Sequence, residues 1–167
     1  MSQFVNYSNR GVELPQGCKD LIDMLRSDPE DLPAKVRRTT EGLDQLDNYV
    51  SRLLSSPSHY CVLSILGFDL ETGVFLERCK GVLTVIVVIK TANGAKEQAV
   101  REAFRDAQVS SISAEVAGTG GDARVLKYPL PALGPDVVGL IRKVLLVACD
   151  ATEHAGLYFD YHGNTTA

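Results

Sequence analysis

The densest group of side chains that could do chemistry lies near the end of the chain, where Glu153, His154, Asp160 and His162 fall within ten residues. Asp160 and His162 are two residues apart on a predicted strand, so their side chains share one face. A carboxylate beside an imidazole can bind a divalent metal ion. A metal site needs three or four ligands, however, and the same pair also fits a solvated edge strand. Asp160 and His162 are therefore the candidate metal ligands, and no cofactor is predicted.

A glycine-rich stretch, Gly118-Thr119-Gly120-Gly121-Asp122-Ala123, matches the G-x-G-x-x-A pattern of dinucleotide sites. In such a site the glycines join a strand to a helix whose N-terminus holds the pyrophosphate. Here a strand pattern follows the glycines, so we predict a hairpin turn. The chain also has no G-x-S-x-G elbow and no C-x-x-C pair. The residues therefore favour a protein that is not an enzyme.

The four cysteines, at positions 18, 61, 79 and 149, leave two interpretations open. If the loop from Gly67 to Gly73 closes a hairpin centred near Leu70, Cys61 and Cys79 lie opposite each other. Opposed strand residues can be close enough for a disulfide. The alternative is that both are buried free thiols, as expected in a reducing cytosol.

Composition and charge exclude several classes of protein. The 167 residues fit one domain, and 45% apolar with 23% charged residues is ordinary globular usage. The formal net charge of −4 provides no overall basic surface for nucleic acid. The longest apolar run, Val82 to Ile89, is far shorter than the ~20 residues of a membrane-spanning helix. The first ten residues do not form a signal peptide. We predict an acidic, cytoplasmic protein that binds neither nucleic acid nor a membrane.

The first part of the chain predicts helices. Residues 1–13 are polar and unpatterned and should form an arm, whereas 14–167 should form a single α+β domain. Apolar residues at helical spacing predict a short helix over about 15–26. A Ser-Asp-Pro-Glu break then begins a second helix, which should extend to about Leu54.

The second predicted helix carries an apolar stripe. Val36, Leu43, Leu46 and Val50 fall at a and d positions of a heptad. Such a stripe can pack on its own domain or against the same helix of a second copy. These four residues are the candidate partner-binding surface, and packing on the chain's own core stays open as the alternative.

The pattern then changes from helices to strands. Strands are predicted at 60–66, 74–79, 82–89, 109–116, 123–128 and 157–161, and helices from Gly94 to about Gln108 and from near Pro135. The β-branched run 82–89 is typical of a central strand buried on both faces. We predict an α+β fold, with a mostly antiparallel sheet of five to six strands covered by helices, in the order α-α-β-β-β-α-β-β-α-β. The alternative is a ferredoxin-like βαββαβ core over 82–162 with an added hairpin.

This order of elements, and the segment from Asp122 to Pro131 that leads into an apolar helix, resembles the type III secretion chaperones and the related sensory-transduction-regulator family. The resemblance covers roughly residues 30–150. It implies a small acidic homodimer that binds other proteins without enzymatic activity, and it implies no particular site residue. We therefore predict a homodimeric protein-binding module of a chaperone-like or regulatory kind. The alternative is a small-ligand or metal-binding protein, conceivably an enzyme, with a site near the C-terminal strand.

Overall fold

A single antiparallel sheet with helices packed against it organises the chain. The computed structural model describes residues 15–16, 18–21, 40–68, 71–90, 94–110, 113–117, 123–130 and 136–163. Its elements are a 3-10 turn (Leu43–Gln45), α1 (Leu46–Ser55), β1 (Tyr60–Gly67), β2 (Thr72–Cys79), β3 (Val82–Lys90), α2 (Gly94–Asp106), β4 (Ser113–Ala117), β5 (Ala123–Leu130), α3 (Val137–Cys149) and β6 (Leu157–Gly163). Residues 16 and 18–21 are helical as well.

The six strands lie in the order β4-β5-β3-β2-β1-β6, and every neighbouring pair is antiparallel. This confirms the predicted α+β fold and the order of its elements. Strand β3 lies inside the sheet between β5 and β2, and Val85 to Ile89 are all buried. The β-branched run therefore forms the central strand that its composition indicated.

The strand order does not fit the ferredoxin-like alternative, in which the last strand would lie beside β3. Strand β6 pairs instead with β1, at the edge of the sheet. The place beside β3 belongs to β2, because Lys80 and Gly81 form a two-residue turn with φ of 51° and 82°. Positive φ at both positions is the geometry of a tight hairpin, which returns the chain directly onto its neighbour.

The main core lies between one face of the sheet and helices α1, α2 and α3. Helix α3 contacts both α1 and α2, so it is the middle helix of this layer. On the other face of the sheet, Cys18 and Leu21 pack with Phe75, Ile86 and Val88 in a second apolar cluster. The central strands are buried on both sides, which explains why their sequences are almost continuously apolar.

Helix α3 is the most apolar helix of the structure. Its buried side chains are Leu140, Ile141, Val144, Leu145, Ala148 and Cys149. They cover more than one face of the helix because α3 is enclosed by the sheet and by both neighbouring helices. No helix among the described residues is both long enough and apolar enough to cross a membrane.

Helix α1 begins later than the sequence predicts. Residues 22–39 lie outside the described part of the chain, but 40–42 are not helical, and Glu41 forms a β-bridge to β6. Gly42 is extended and lies against the backbone of Glu153, where a Cβ would be 2.3 Å from the carbonyl oxygen. The backbone is thus bound to the loop before β6, and the α-helix starts only at Leu46.

Several sequence predictions fall outside the described residues, among them the arm at 1–13 and the glycine turn at 118–122. The strands on both sides of that turn are nevertheless described. They pair antiparallel up to Ala117 and Ala123. A strand, and not a helix, therefore follows the glycines, as the hairpin interpretation predicts, and the segment lacks the helix N-terminus of a dinucleotide site.

Candidate functional site

The two candidate metal ligands lie together on β6, the edge strand of the sheet. His162 Nε2 is 2.9 Å from Asp160 Oδ2, and both side chains are more than half exposed. They share one face, as their spacing predicts, and they contact each other. Within the described ranges no three His, Cys, Asp or Glu side chains converge on a point that could hold a metal ion. A metal at this pair stays a prediction.

The other two members of the C-terminal polar group point elsewhere. Glu153 forms an ion pair with Arg142 of α3, and His154 Nδ1 lies 3.1 Å from Asp44 Oδ2. Both contacts hold the loop before β6 against the helix layer. The four residues that are close in sequence therefore divide into separate pairs and form no common site.

The predicted partner-binding stripe lies largely in the core. Leu46 and Val50 are fully buried and Leu43 is 3% exposed, all three in the main apolar cluster. Val36 lies outside the described residues. The described part of the stripe therefore packs on the chain's own domain, which was the alternative to a partner-binding surface. Any contact made by this region with a partner would have to use other side chains.

The disulfide interpretation is wrong for this hairpin. Cys61 is paired with Arg78, and Cys79 is paired with Tyr60. The β1–β2 pairing is shifted by one residue from the pairing that would place Cys61 opposite Cys79. Their side chains therefore point to opposite faces of the sheet. Cys61 is buried beneath α1, Cys79 is exposed, and all four cysteines are free.

A partly buried polar cluster, which sequence patterns did not single out, lies on the sheet face opposite the helix layer. The Tyr60 hydroxyl donates a hydrogen bond of 3.0 Å to Glu77 Oε2, and Lys127 on β5 is only 4% exposed. Burial raises the pKa of Glu77, and the Tyr60 bond and the charge of Lys127 partly offset this effect. A lysine between apolar neighbours of a strand was the signal that could have identified it.

The same cluster holds a thiol that is not reactive. Cys18 is fully buried, and burial followed by the charge of Glu77 raises its pKa well above the usual range. The nucleophilic form of cysteine is the thiolate, so this side chain stays a protonated core residue. Burial and Glu77 also raise the pKa of Tyr60. In this cluster the charges of Lys127 and Glu77 offset each other, and the cluster presents no activated nucleophile.

The outward face of α3 carries the most unusual exposed pattern. Lys143 and Leu146 lie on α3, and Asp150 is the residue directly after it, with a left-handed φ of 51°. All three are exposed, although α3 is otherwise largely buried. Leu146 keeps 48% of its surface exposed. Lys143 Nζ lies 3.2 Å from an Asp106 carboxylate oxygen, and Asp150 lies 3.6 Å from Lys96 Nζ. We call Lys143, Leu146 and Asp150 the α3 row.

The sequence offered a signal for this row, since a lysine and an aspartate are spaced seven residues apart around one leucine. It was hidden because α3 is apolar over most of its circumference.

The fold defines the chain as an α+β protein with one antiparallel sheet and a helix layer. No family model matches it, and no curated protein and no solved structure is similar enough to count as a match. Function is therefore inferred from the chain's own residues and from the order of its elements.

Proposed function

We propose that this protein is a non-enzymatic, cytoplasmic protein-binding module that works as a homodimer, in which two copies meet through the α3 row. The observation that carries the proposal is the position of Leu146, half exposed in the last turn of the central helix. One exposed leucine is ordinary in itself. Leu146 differs from other exposed leucines because Lys143 lies three residues before it and Asp150 four residues after it.

This spacing is self-complementary. In a two-fold dimer, residue i of one copy contacts residue j of the other, and j contacts i in return. An antiparallel pair of α3 helices centred on Leu146 would bring Lys143 beside Asp150 of the partner subunit, at both ends of the contact. A parallel pair would instead oppose like charges. The charge pattern thus selects one geometry.

The energies show which contact would provide affinity and which specificity. Burying the exposed half of Leu146 contributes about 1 kcal/mol per copy. Each exposed ion pair adds roughly 0–1 kcal/mol and serves mainly to fix the register. A stable interface buries about 800 Å² per partner. The outward sides of α1 and α2 would therefore have to take part around the central row.

Sedimentation equilibrium at micromolar concentration tests the dimer. The wild type should have twice the chain mass of 18.1 kDa, and Leu146→Glu should be a monomer. Val82→Glu is the matched control, because Val82 is 57% exposed but lies on the sheet face away from the helices. It should stay dimeric. A monomeric wild type would overturn the homodimer, and a dimeric Leu146→Glu would overturn the α3 interface.

Charge reversal tests the geometry. Lys143→Glu and Asp150→Lys should each weaken the dimer, because each opposes like charges across the axis. The double variant restores opposite charges across the axis and should bind more tightly than either single variant. Full recovery is not expected, because the reversed charges then face Asp106 and Lys96 of their own copy. If the double variant is as weak as the sum of the two single changes, the antiparallel pairing is wrong.

The protein-binding part of the proposal is supported by the resemblance in element order to chaperones that bind other proteins. Cross-linking in a cell extract, followed by reconstitution from purified components, tests it. A partner found in this way should bind the purified wild-type protein again at a fixed ratio. If no cross-linked protein binds again in purified form, the module function is overturned.

A further inference from the structure

An open groove of about 530 Å³ lies where α2 ends beside β5. It is lined by Arg101, Arg105, Gln108, Val109, Ser110 and Tyr128. None of these six residues is acidic, and two are arginines one helical turn apart. The volume is within the range of small-molecule sites.

Charges around the groove are unbalanced. Glu97 accepts hydrogen bonds from Arg101 Nε and from Arg124 Nε, each at 3.0 Å, so two guanidiniums share one carboxylate. Burial opposes ionisation of Glu97, but these bonds prevail and lower its pKa. Among the described residues, no carboxylate lies within 4.0 Å of the Arg105 guanidinium. Arg101 and Arg124 thus share the Glu97 carboxylate, in a chain whose net charge is −4.

Tyr128 provides a rigid wall. Its ring is stacked on Phe104 with 3.7 Å between centroids and an interplanar angle of 3°, and the residue is 3% exposed. Burial raises the pKa of Tyr128, although the charges of Arg101 and Arg105 act in the opposite direction. The phenol is therefore neutral at physiological pH, and a neutral hydroxyl can donate a hydrogen bond to an anion.

The end of α2 opposes an anion only slightly. A helix C-terminus carries roughly half a negative charge, which resides on its unpaired carbonyl groups. Here the Phe104 carbonyl accepts from the Val109 N–H and the Arg105 carbonyl accepts from the Gln108 N–H, both at 2.9 Å. Gln108 makes this possible by its left-handed φ of 59°. The charge of Arg105, which has no carboxylate within 4.0 Å among the described residues, exceeds what remains.

The geometry points to an oxyanion-binding site, in which Arg101 and Arg105 hold the phosphoryl or carboxylate group of a small molecule and Tyr128 donates a further hydrogen bond. A planar guanidinium presents paired donors that match two oxygens of either group. Val109 leaves an apolar wall for the organic part of the ligand. None of the six residues that line the groove belongs to the α3 row.

Two probes with the same ring separate the sources of the anion. Phenyl phosphate and benzoate are titrated into the ¹⁵N-labelled protein at constant ionic strength, with neutral phenol as the reference. We expect saturable amide shifts confined to 101–110 and to Tyr128 with one or both anions. Binding of only one anion identifies the group that the site prefers. Equal binding of phenol, or no saturable shift with either anion, would overturn the proposal.

Variants locate the site. Arg105→Gln should weaken binding about tenfold or more, because it removes charge-assisted donors. Tyr128→Phe keeps the stacked ring and should weaken binding by about threefold to fivefold. Arg52→Gln is the matched control, since Arg52 is an exposed arginine of α1 over the Tyr161 ring. It should leave the affinity unchanged. Wild-type affinity in Arg105→Gln, measured where its thermal unfolding matches the wild type, would overturn the assignment.

Discussion

Gly42 lies against the Glu153 backbone so closely that a Cβ at position 42 would be 2.3 Å from the Glu153 carbonyl oxygen. Next to this contact, the Leu43 and Asp44 N–H groups donate to the carbonyls of Thr152 and Glu153, each at 2.9 Å. The segment before α1 is therefore bonded to the loop before β6 by backbone hydrogen bonds as well as by the contact between His154 and Asp44.

Gly42→Ala should destabilise the protein by about 2 kcal/mol, because the new methyl group meets backbone that cannot move aside easily. Gly94→Ala is the matched control, since nothing lies within 4 Å of a Cβ at the start of α2. It should change stability by less than about 0.5 kcal/mol. Urea denaturation measures both. Equal stability of the two variants would contradict the close approach.

Leu46→Ala should cost about 2–5 kcal/mol, because Leu46 is fully buried and truncation leaves a cavity. Leu54 belongs to the same helix but is 46% exposed, so Leu54→Ala should cost less than about 1 kcal/mol. The comparison by chemical denaturation separates a core stripe from a surface stripe. Similar small losses at both positions would show that Leu46 is not a core residue.

Glu77 should make stability fall as pH rises. Its pKa is raised by burial, so the folded state holds the proton to higher pH than the unfolded state. The stability linked to this proton is complete below the usual glutamate pKa of ~4.3 and is lost as pH rises through the folded value. Glu77→Gln keeps an acceptor for Tyr60 and has no charge to titrate. The stability of the wild type relative to Glu77→Gln should therefore decline from about pH 4 upwards.

Denaturation with urea at a series of pH values measures this difference. Only the pH dependence of the stability difference reports on Glu77. The variant has no charge at position 77 at any pH, so its own stability changes nothing through titration of this residue. A difference that rises with pH would show that the Lys127 charge outweighs burial.

Cys79 should be the fastest thiol to react in the folded protein. It is exposed, whereas Cys18, Cys61 and Cys149 are buried. Alkylation with iodoacetamide and peptide mass analysis should label Cys79 first, and all four positions should react after denaturation without a reductant. Fewer than four reactive thiols in the denatured, non-reduced protein would reveal a disulfide.

Local sequence patterns predicted the kind and order of the elements from β1 onward, because side-chain periodicity is a local property. The β-branched run at 82–89 predicted a buried strand, and the apolar segment after Pro135 predicted a helix. These features need no knowledge of what lies across the core.

Tertiary structure alone decided which elements became neighbours, because pairing and packing partners are distant in sequence. Strand β6 carries no local signal that directs it to β1 and not to β3. The β1–β2 register places Cys61 opposite Arg78, so the side chains of Cys61 and Cys79 point to opposite faces of the sheet. Because α1 and α2 lie on both sides of α3, Leu146 of α3 stays at the surface. Leu46 of α1 faces the core.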